Sequence, residues 1–354
     1  MIDWVPNKLI NYEKIKNLLD KCQKNKQFTN YGPNVQLLEK FIHNKYKIDE
    51  NKSVIAVVNA SLGLQILTYI LNLYHNKDIQ WATQSFTFPP SNQGTLKTSI
   101  ILDIDLEGGL NLNEVNNDIG GLIVTNIFGN IVDIDKYLEY CEKNNKFLIF
   151  DNAATHYTFY KGKNCLNYGH GSVISFHHTK PFGFGEGGAI IVDKKYEYII
   201  RNMINFGIDN NIKNKENYYS NNANNCKMSD ISAVFVLQYL QDYFDIIIQK
   251  HHDLYNYFIE QKNKNNINIE LFPSFHDKNN ICISCFCILF KNKELSLKIK
   301  EKLLENNIFC RKYYHPLKKT KNTCIIYDKI LSLPCTKDMN YSDIDNIINH
   351  IKNF

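Results

Sequence analysis

No apolar run in this chain of 354 residues reaches the roughly 20 residues that a bilayer-spanning helix needs. Residues 1–9 show no basic stretch followed by an apolar one, so neither a leader nor a membrane partner is expected, and the cytoplasm is the expected location. Dense basic blocks are missing as well. The 41 Lys and Arg against 36 Asp and Glu leave a formal charge of +5 spread along the chain, without the patch that grips nucleic acid. No repeat of fixed period occurs. The ten cysteines lack the close spacing of a secreted disulfide scaffold and read as free thiols in a reducing compartment. Cys282, Cys285 and Cys287 contain one C-x-x-C spacing without a second pair, inside a strand-like run, which suits small buried apolar residues. Asn-, Lys- and Ile-rich stretches such as 262–268 read as surface filler.

What is present is apolar material in quantity. At 44% hydrophobic and 22% charged residues the chain can bury a large core, and its length favours one large and one smaller domain. Short apolar runs alternate with longer amphipathic stretches through the first two thirds, the pattern of parallel strands joined by helices. Residues 53–58 predict a strand and 60–73 the helix after it. Further strands are predicted at 100–104, 121–126, 147–150, 173–176 and 189–192, with a helix at 134–144. Few charges interrupt these runs, as expected of strands covered on both faces. From 229 to 259, Ala233, Val236, Leu237, Leu240 and Phe244 recur at helical spacing. A long helix leading out of the first domain follows, with a boundary near 240, so that 1–240 forms the large domain and 241–354 a small α+β domain. The latter holds a strand-like run at 281–290 and helices at 295–306 and 344–351.

In an open α/β sheet, ligands bind beyond the carboxyl ends of the strands. Asp151 follows the run 147–150. Asn59-Ala60-Ser61 follows the run 53–58 at the start of a helix, where free N–H groups and the helix dipole attract phosphate. After 173–176 come His177-His178-Thr179-Lys180 and the run Gly183-Phe184-Gly185-Glu186-Gly187-Gly188. A lysine amine, a strand-end carboxylate and a helix N-terminus together are what pyridoxal phosphate requires: a Schiff base, a partner for the pyridine nitrogen and a phosphate site. A dinucleotide-binding reading of the glycine run is disfavoured because a strand, not a helix, follows it. The pairs His177-His178 and His251-His252 have no Cys or carboxylate at ligand spacing, and neighbours in a strand face opposite ways, so no metal is expected.

The run Ser175-Phe176-His177-His178-Thr179-Lys180 with Gly185-Glu186-Gly187-Gly188 resembles the signature of the DegT/DnrJ/EryC1/StrS sugar aminotransferases. The resemblance spans nearly the whole chain, through Thr29-Asn30-Tyr31-Gly32-Pro33, Ser85-Phe86-Thr87-Phe88, Phe128-Gly129-Asn130, Asp151-Asn152-Ala153-Ala154, Asn225-Cys226-Lys227-Met228-Ser229 and Leu333-Pro334. It implies the fold-type I, aspartate aminotransferase-like architecture. Lys180 would carry the cofactor and move the proton, and Asp151 would pair with the ring nitrogen. Ser175, Ala60 and Ser61 would take the phosphate, and Phe88 would stack on the ring. Asn225 would reach the cofactor of a neighbouring subunit, implying a homodimer with shared sites. Tyr31, His156, Lys227, Tyr314 and His315 fall in segments implied to contact substrate.

Three positions depart from the family pattern. Ala154 stands where Gln is frequent, leaving Thr155 or His156 as substitutes; a His that often precedes the Phe-Gly pair is absent from Thr125-Asn126-Ile127-Phe128-Gly129; and Lys227 replaces an Arg, with fewer donors for an anion. The resemblance implies transfer of an amino group from L-glutamate to a nucleotide-linked keto-6-deoxy sugar, in amino sugar biosynthesis. The substrate favoured is dTDP-4-keto-6-deoxyglucose, giving dTDP-4-amino-4,6-dideoxyglucose, with amination at C3 as the alternative. A sister dehydratase is expected to carry His in place of Lys180, and a non-catalytic regulator on this fold to lose the Lys or the Asp.

Overall fold

The computed structural model describes residues 1–208, 223–273 and 281–352. The chain runs through α1 (Tyr12–Asn25), α2 (Pro33–Lys45), β1 (Lys52–Val57), α3 (Ala60–Tyr74), β2 (Trp81–Gln84), β3 (Ile100–Leu102), β4 (Gly121–Thr125), α4 (Ile134–Lys143) and β5 (Phe147–Asp151). It continues through a small hairpin, β6 (Phe159–Tyr160) and β7 (Lys163–Asn164), then β8 (Gly171–Ser175), β9 (Gly188–Asp193), α5 (Glu197–Met203) and α6 (Asp230–Lys264). The last part holds β10 (Glu270–Leu271), β11 (Cys285–Leu289), α7 (Lys293–Glu305), α8 (Lys321–Lys329), β12 (Ile330–Pro334) and α9 (Tyr341–Ile351).

Seven strands form the main sheet in the order β1-β9-β8-β5-β4-β2-β3. The neighbours from β8 to β3 pair in parallel, while β9 lies antiparallel to both β1 and β8. Successive strand residues face opposite ways, and both faces are covered. Val54, Ala56, Leu122, Val124, Leu148 and Phe150 pack into one core with α1, α2, α4 and the first half of α6. Ile55, Val57, Ile123, Ile149 and Val173 pack into another with α3 and α5. Because both faces are apolar, the strands read as continuous apolar runs rather than alternating ones.

The small sheet, β10-β11-β12, is antiparallel and packs with α7 and α9 around a core of its own. The long helix α6 crosses residue 240 without a break. Ala233 through Ile247 belong to the large core, whereas Leu254, Tyr255 and Phe258 belong to the small one. By length and composition α6 could cross a membrane, yet here its apolar residues fill these two protein cores. The strand expected over 281–290 is confined to β11. Before it, Ser284 N–H donates to Phe128 O at 2.8 Å, and Gly129, at φ +88°, would bring a Cβ within 2.5 Å of Cys282 O. Residues 282–284 are thus held against the 128–129 turn instead of extending the sheet.

Candidate active site

A cavity of about 480 Å³ opens beyond the carboxyl ends of the parallel strands, between the two sheets. Strand ends place its chemistry: Asp151 terminates β5, Ser175 terminates β8, and Lys180 lies five residues beyond Ser175. Ala60 and Ser61 begin α3 and also line the cavity. Asn59 caps that helix, its Oδ1 accepting from Leu62 N–H at 2.9 Å, which leaves the first N–H groups of α3 turned toward the cavity. Gly188 allows this approach. A Cβ there would lie 2.5 Å from Ala60 N and 2.7 Å from the Asn59 carbonyl carbon.

Asp151 is 6% exposed. Its Oδ1 accepts from Ala153 N–H at 3.0 Å and its Oδ2 from Ser91 Oγ at 3.4 Å. Burial pushes its pKa upward, against the pull of the Ala153 N–H, of Lys180 and of Ser91. Burial also lowers the pKa of Lys180, opposed by the negative charge of Asp151. Among the described residues Lys180 Nζ has no ion-pair partner, so an amine and a carboxylate face one cavity without neutralising each other. A positively charged ring nitrogen would relieve the buried carboxylate, and a carbonyl would be attacked by an amine of lowered pKa. A phosphate would meet the α3 N-terminus and Ser175. These residues therefore fit pyridoxal phosphate.

Aromatic rings make the walls. Phe88, 56% exposed, lies at a ring-centroid distance of 6.2 Å from Tyr314, and Tyr314 stacks on Phe128 at 5.0 Å. Trp4, Arg311 and Tyr313 close another side, the Arg311 guanidinium lying 5.1 Å from the Trp4 ring. Arg311 is paired by backbone hydrogen bonds with Ser332 of β12, and among the described residues no carboxylate forms an ion pair with it. The chain's other arginine, Arg201, is committed to Glu39 and Glu197 at 2.9 and 2.8 Å. Apart from a hydrogen bond from its Nη1 to Tyr313 Oη, the Arg311 guanidinium is thus open to an anionic group, suited to a carboxylate or a phosphate.

The cavity brings together Ala60, Ser61, Phe88, Asp151, Ser175, Lys180 and Tyr314 of the residues singled out in the sequence. Others lie elsewhere. His156 is fully enclosed, stacked on Phe182 at 5.4 Å, with neither ring nitrogen hydrogen-bonded. Burial depresses its pKa to about 3, so it is a neutral packing residue and not part of the cavity wall. Thr155 Oγ1 is used up by Asn126 O and Gly129 N–H, so neither residue takes the place of the missing Gln at Ala154. His315 is exposed, its ring 4.9 Å from that of Tyr327. Tyr31, Asn225 and Lys227 also lie off this chain's cavity wall. The Arg201 guanidinium covers Tyr31 at 4.1 Å, and Lys227 donates to Asn225 Oδ1 at 2.6 Å while lying 4.1 Å from the Phe206 ring. Sequence reasoning missed Trp4, Arg311 and Cys285 as cavity residues. Their only signal was the scarcity of Trp and Arg; Cys285 is buried as expected, but on the cavity wall.

Residues 10–352 match the DegT/DnrJ/EryC1/StrS aminotransferase family, and the chain belongs to it. It is a pyridoxal-phosphate-dependent aminotransferase. A curated relative, the dTDP-4-amino-4,6-dideoxy-D-glucose transaminase of Shigella dysenteriae, is 26% identical over 358 residues, covering 93% of this chain and 92% of its own length. Among solved structures, DesI in the presence of its TDP-sugar product superposes with a TM-score of 0.83 at 20% identity, covering 99% of this chain and 93% of that one. Helicobacter pylori PseC, an aminotransferase of pseudoaminic acid biosynthesis, reaches 0.84 at 18% identity, covering 99% and 98%. These likenesses bear out the fold-type I architecture.

Proposed function

We propose that this aminotransferase moves an amino group from L-glutamate to the C4 ketone of dTDP-4-keto-6-deoxyglucose, giving dTDP-4-amino-4,6-dideoxyglucose. The observation that carries this reading is the near full-length match to the Shigella transaminase, joined to a cavity that holds both Lys180 and Asp151. Retention of the lysine argues against dehydration, and retention of both residues argues against a non-catalytic role.

Bound pyridoxal phosphate supplies an electron sink that makes the carbon bearing the amino group acidic. The residues of the chain do the rest. Ser175 and the α3 N-terminus would hold the phosphate, and Phe88 would cover a ring face. Asp151, kept among buried groups, would hold a proton on the ring nitrogen by its charge. Lys180 Nζ would take up a proton and give it back, a task helped by the lowered pKa of its amine. The return half reaction runs these steps backwards onto the sugar ketone.

Incubating the enzyme with glutamate and either the 3-keto or the 4-keto sugar nucleotide tests the assignment. Amination of the 4-keto isomer is expected; exclusive use of the 3-keto isomer would reject C4. We place the reaction in the cytoplasm, supported by ten free cysteines. We also propose a homodimer in which Tyr31, Asn225 and Lys227 reach the partner's cavity, supported by the exposed rings of Tyr31 and Phe206 beside them, 42% and 48% open to solvent. Co-expressing inactive Lys180→Ala and Asn225→Ala chains tests it. Hybrid dimers would regain activity at one of two sites if the sites are shared, and none would return to wild-type level per site if they are not.

A further inference from the structure

The segment before α1 touches both halves of the molecule. Ile2 joins the small domain, donating to Asn307 O at 2.9 Å and accepting from Phe309 N–H at 3.0 Å. Trp4 then lines the cavity, and Asn7 N–H donates to Asp338 Oδ2 at 2.6 Å. Lys8 reaches the turn that carries the catalytic lysine. Its Nζ donates to Lys180 O at 2.7 Å and also to Gly183 O.

That turn is tight. Lys180 N–H donates to His177 O at 2.8 Å and Gly183 N–H to Lys180 O at 3.0 Å. A Cβ at Gly183 would come within 2.1 Å of His177 O and 2.5 Å of Phe176 O, so several carbonyl oxygens converge beside it. Buried carbonyls need donors, and a turn this narrow cannot supply them all from its own backbone. The ammonium of Lys8 supplies them. It sits 4.5 Å from the centroid of the buried Tyr239 ring, with Lys337 and Asp338 as its charged neighbours. Burial and the nearby Lys337 draw its pKa down to about 7, the mark of an ammonium kept from water. Desolvating a charge is costly unless its surroundings repay it, and here they are a ring face and the carbonyls of one turn.

We propose that Lys8 is a positioning residue for catalysis: by clamping the carbonyls of Lys180 and Gly183 it fixes the backbone from which the reactive amine projects. The proposal rests on the assignment of Lys180 as the cofactor-carrying lysine, and its test separates the two. Lys8→Met keeps the length of the stem and removes the ammonium. Lys8→Gln ends one bond short of both carbonyls and serves as the second variant. Amide hydrogen exchange at Gly183, measured on the chain before any cofactor is added, is expected to quicken by about tenfold or more in either variant. The rate at which the same protein takes up pyridoxal phosphate, followed by absorbance, is expected to fall, and kcat to fall by about 10–100-fold with little change in the KM for glutamate, as misplaced reactive groups do. Wild-type exchange at Gly183 and wild-type uptake in a folded variant would overturn the clamp. Faster exchange in the variants together with a wild-type chain that takes up no cofactor would instead leave the clamp standing and overturn the role of Lys180.

Discussion

An amine and a carboxylate facing one cavity without an ion pair between them are each held away from ordinary ionisation by burial. Lys180 is pushed toward its neutral form, from the usual 10.5 downward, so the uncharged amine is available at lower pH than on a surface lysine. The rate of pyridoxal phosphate uptake by the cofactor-free protein should therefore rise with pH and level off at a lower pH than the ordinary lysine value of 10.5; a rate that levels off only at or above 10.5 would contradict it. Lys180→Ala is expected to abolish turnover and the absorbance of the attached cofactor, and a variant with normal turnover would end the assignment. These two residues were legible because each follows an apolar run, where a parallel sheet collects its ligands. His156 misled for a physical reason. It lies two residues beyond the cavity-lining Ala154, but Phe176 and Phe182 offer its ring a flat apolar bed, and packing wins over exposure to substrate.

At the level of elements, the strands whose runs are apolar throughout were readable to within a residue or two, as with β1, β5 and β9. Helix α3 was equally plain, since Asn59 caps its start and its apolar face continues to Tyr74. Strand β2 was not. Its four residues, Trp81-Ala82-Thr83-Gln84, are half polar, and Gln84 can be buried because its amide finds Gly108 O and Thr125 N–H. Such satisfaction depends on residues distant in sequence and leaves no local pattern. The α3–β9 contact gives a test at this scale. Gly188→Ala would force a methyl against the Ala60 backbone, which cannot yield as a side-chain tip would. Thermal stability should drop by about 1–3 kcal/mol, the usual cost of overpacking, and the dissociation constant for pyridoxal phosphate should rise at least about tenfold as the helix end withdraws, at 1.4 kcal/mol per decade. Unchanged affinity in a folded variant would show that the α3 terminus does not hold the phosphate.

For the molecule as a whole, buried histidines contribute to the response to acid. His156 and His251 are enclosed, and burial lowers their pKa values from 6.5 to about 3 and about 4. The unfolded chain binds protons at these rings before the native chain does, so their contribution to stability is complete above pH 6.5 and is lost as pH falls toward about 4 for His251 and about 3 for His156. His251 Nδ1 meets Ile283 O at 2.6 Å, joining the middle of α6 to the segment entering β11. His156→Phe preserves the stack on Phe182 and removes one titrating ring, so thermal melts from pH 7 to pH 4 should show a shallower decline than wild type; an identical decline would clear His156 of any part in it.

The helix α6 gives its first half to one core and its second half to the other. A single stiff rod shared in this way resists a hinge at the junction, since swinging the halves apart would have to bend it or pull aromatic side chains out of one side. The cavity that Phe88, Arg311 and Trp4 help to line lies between the halves joined by this rod, so its width is tied to the straightness of α6.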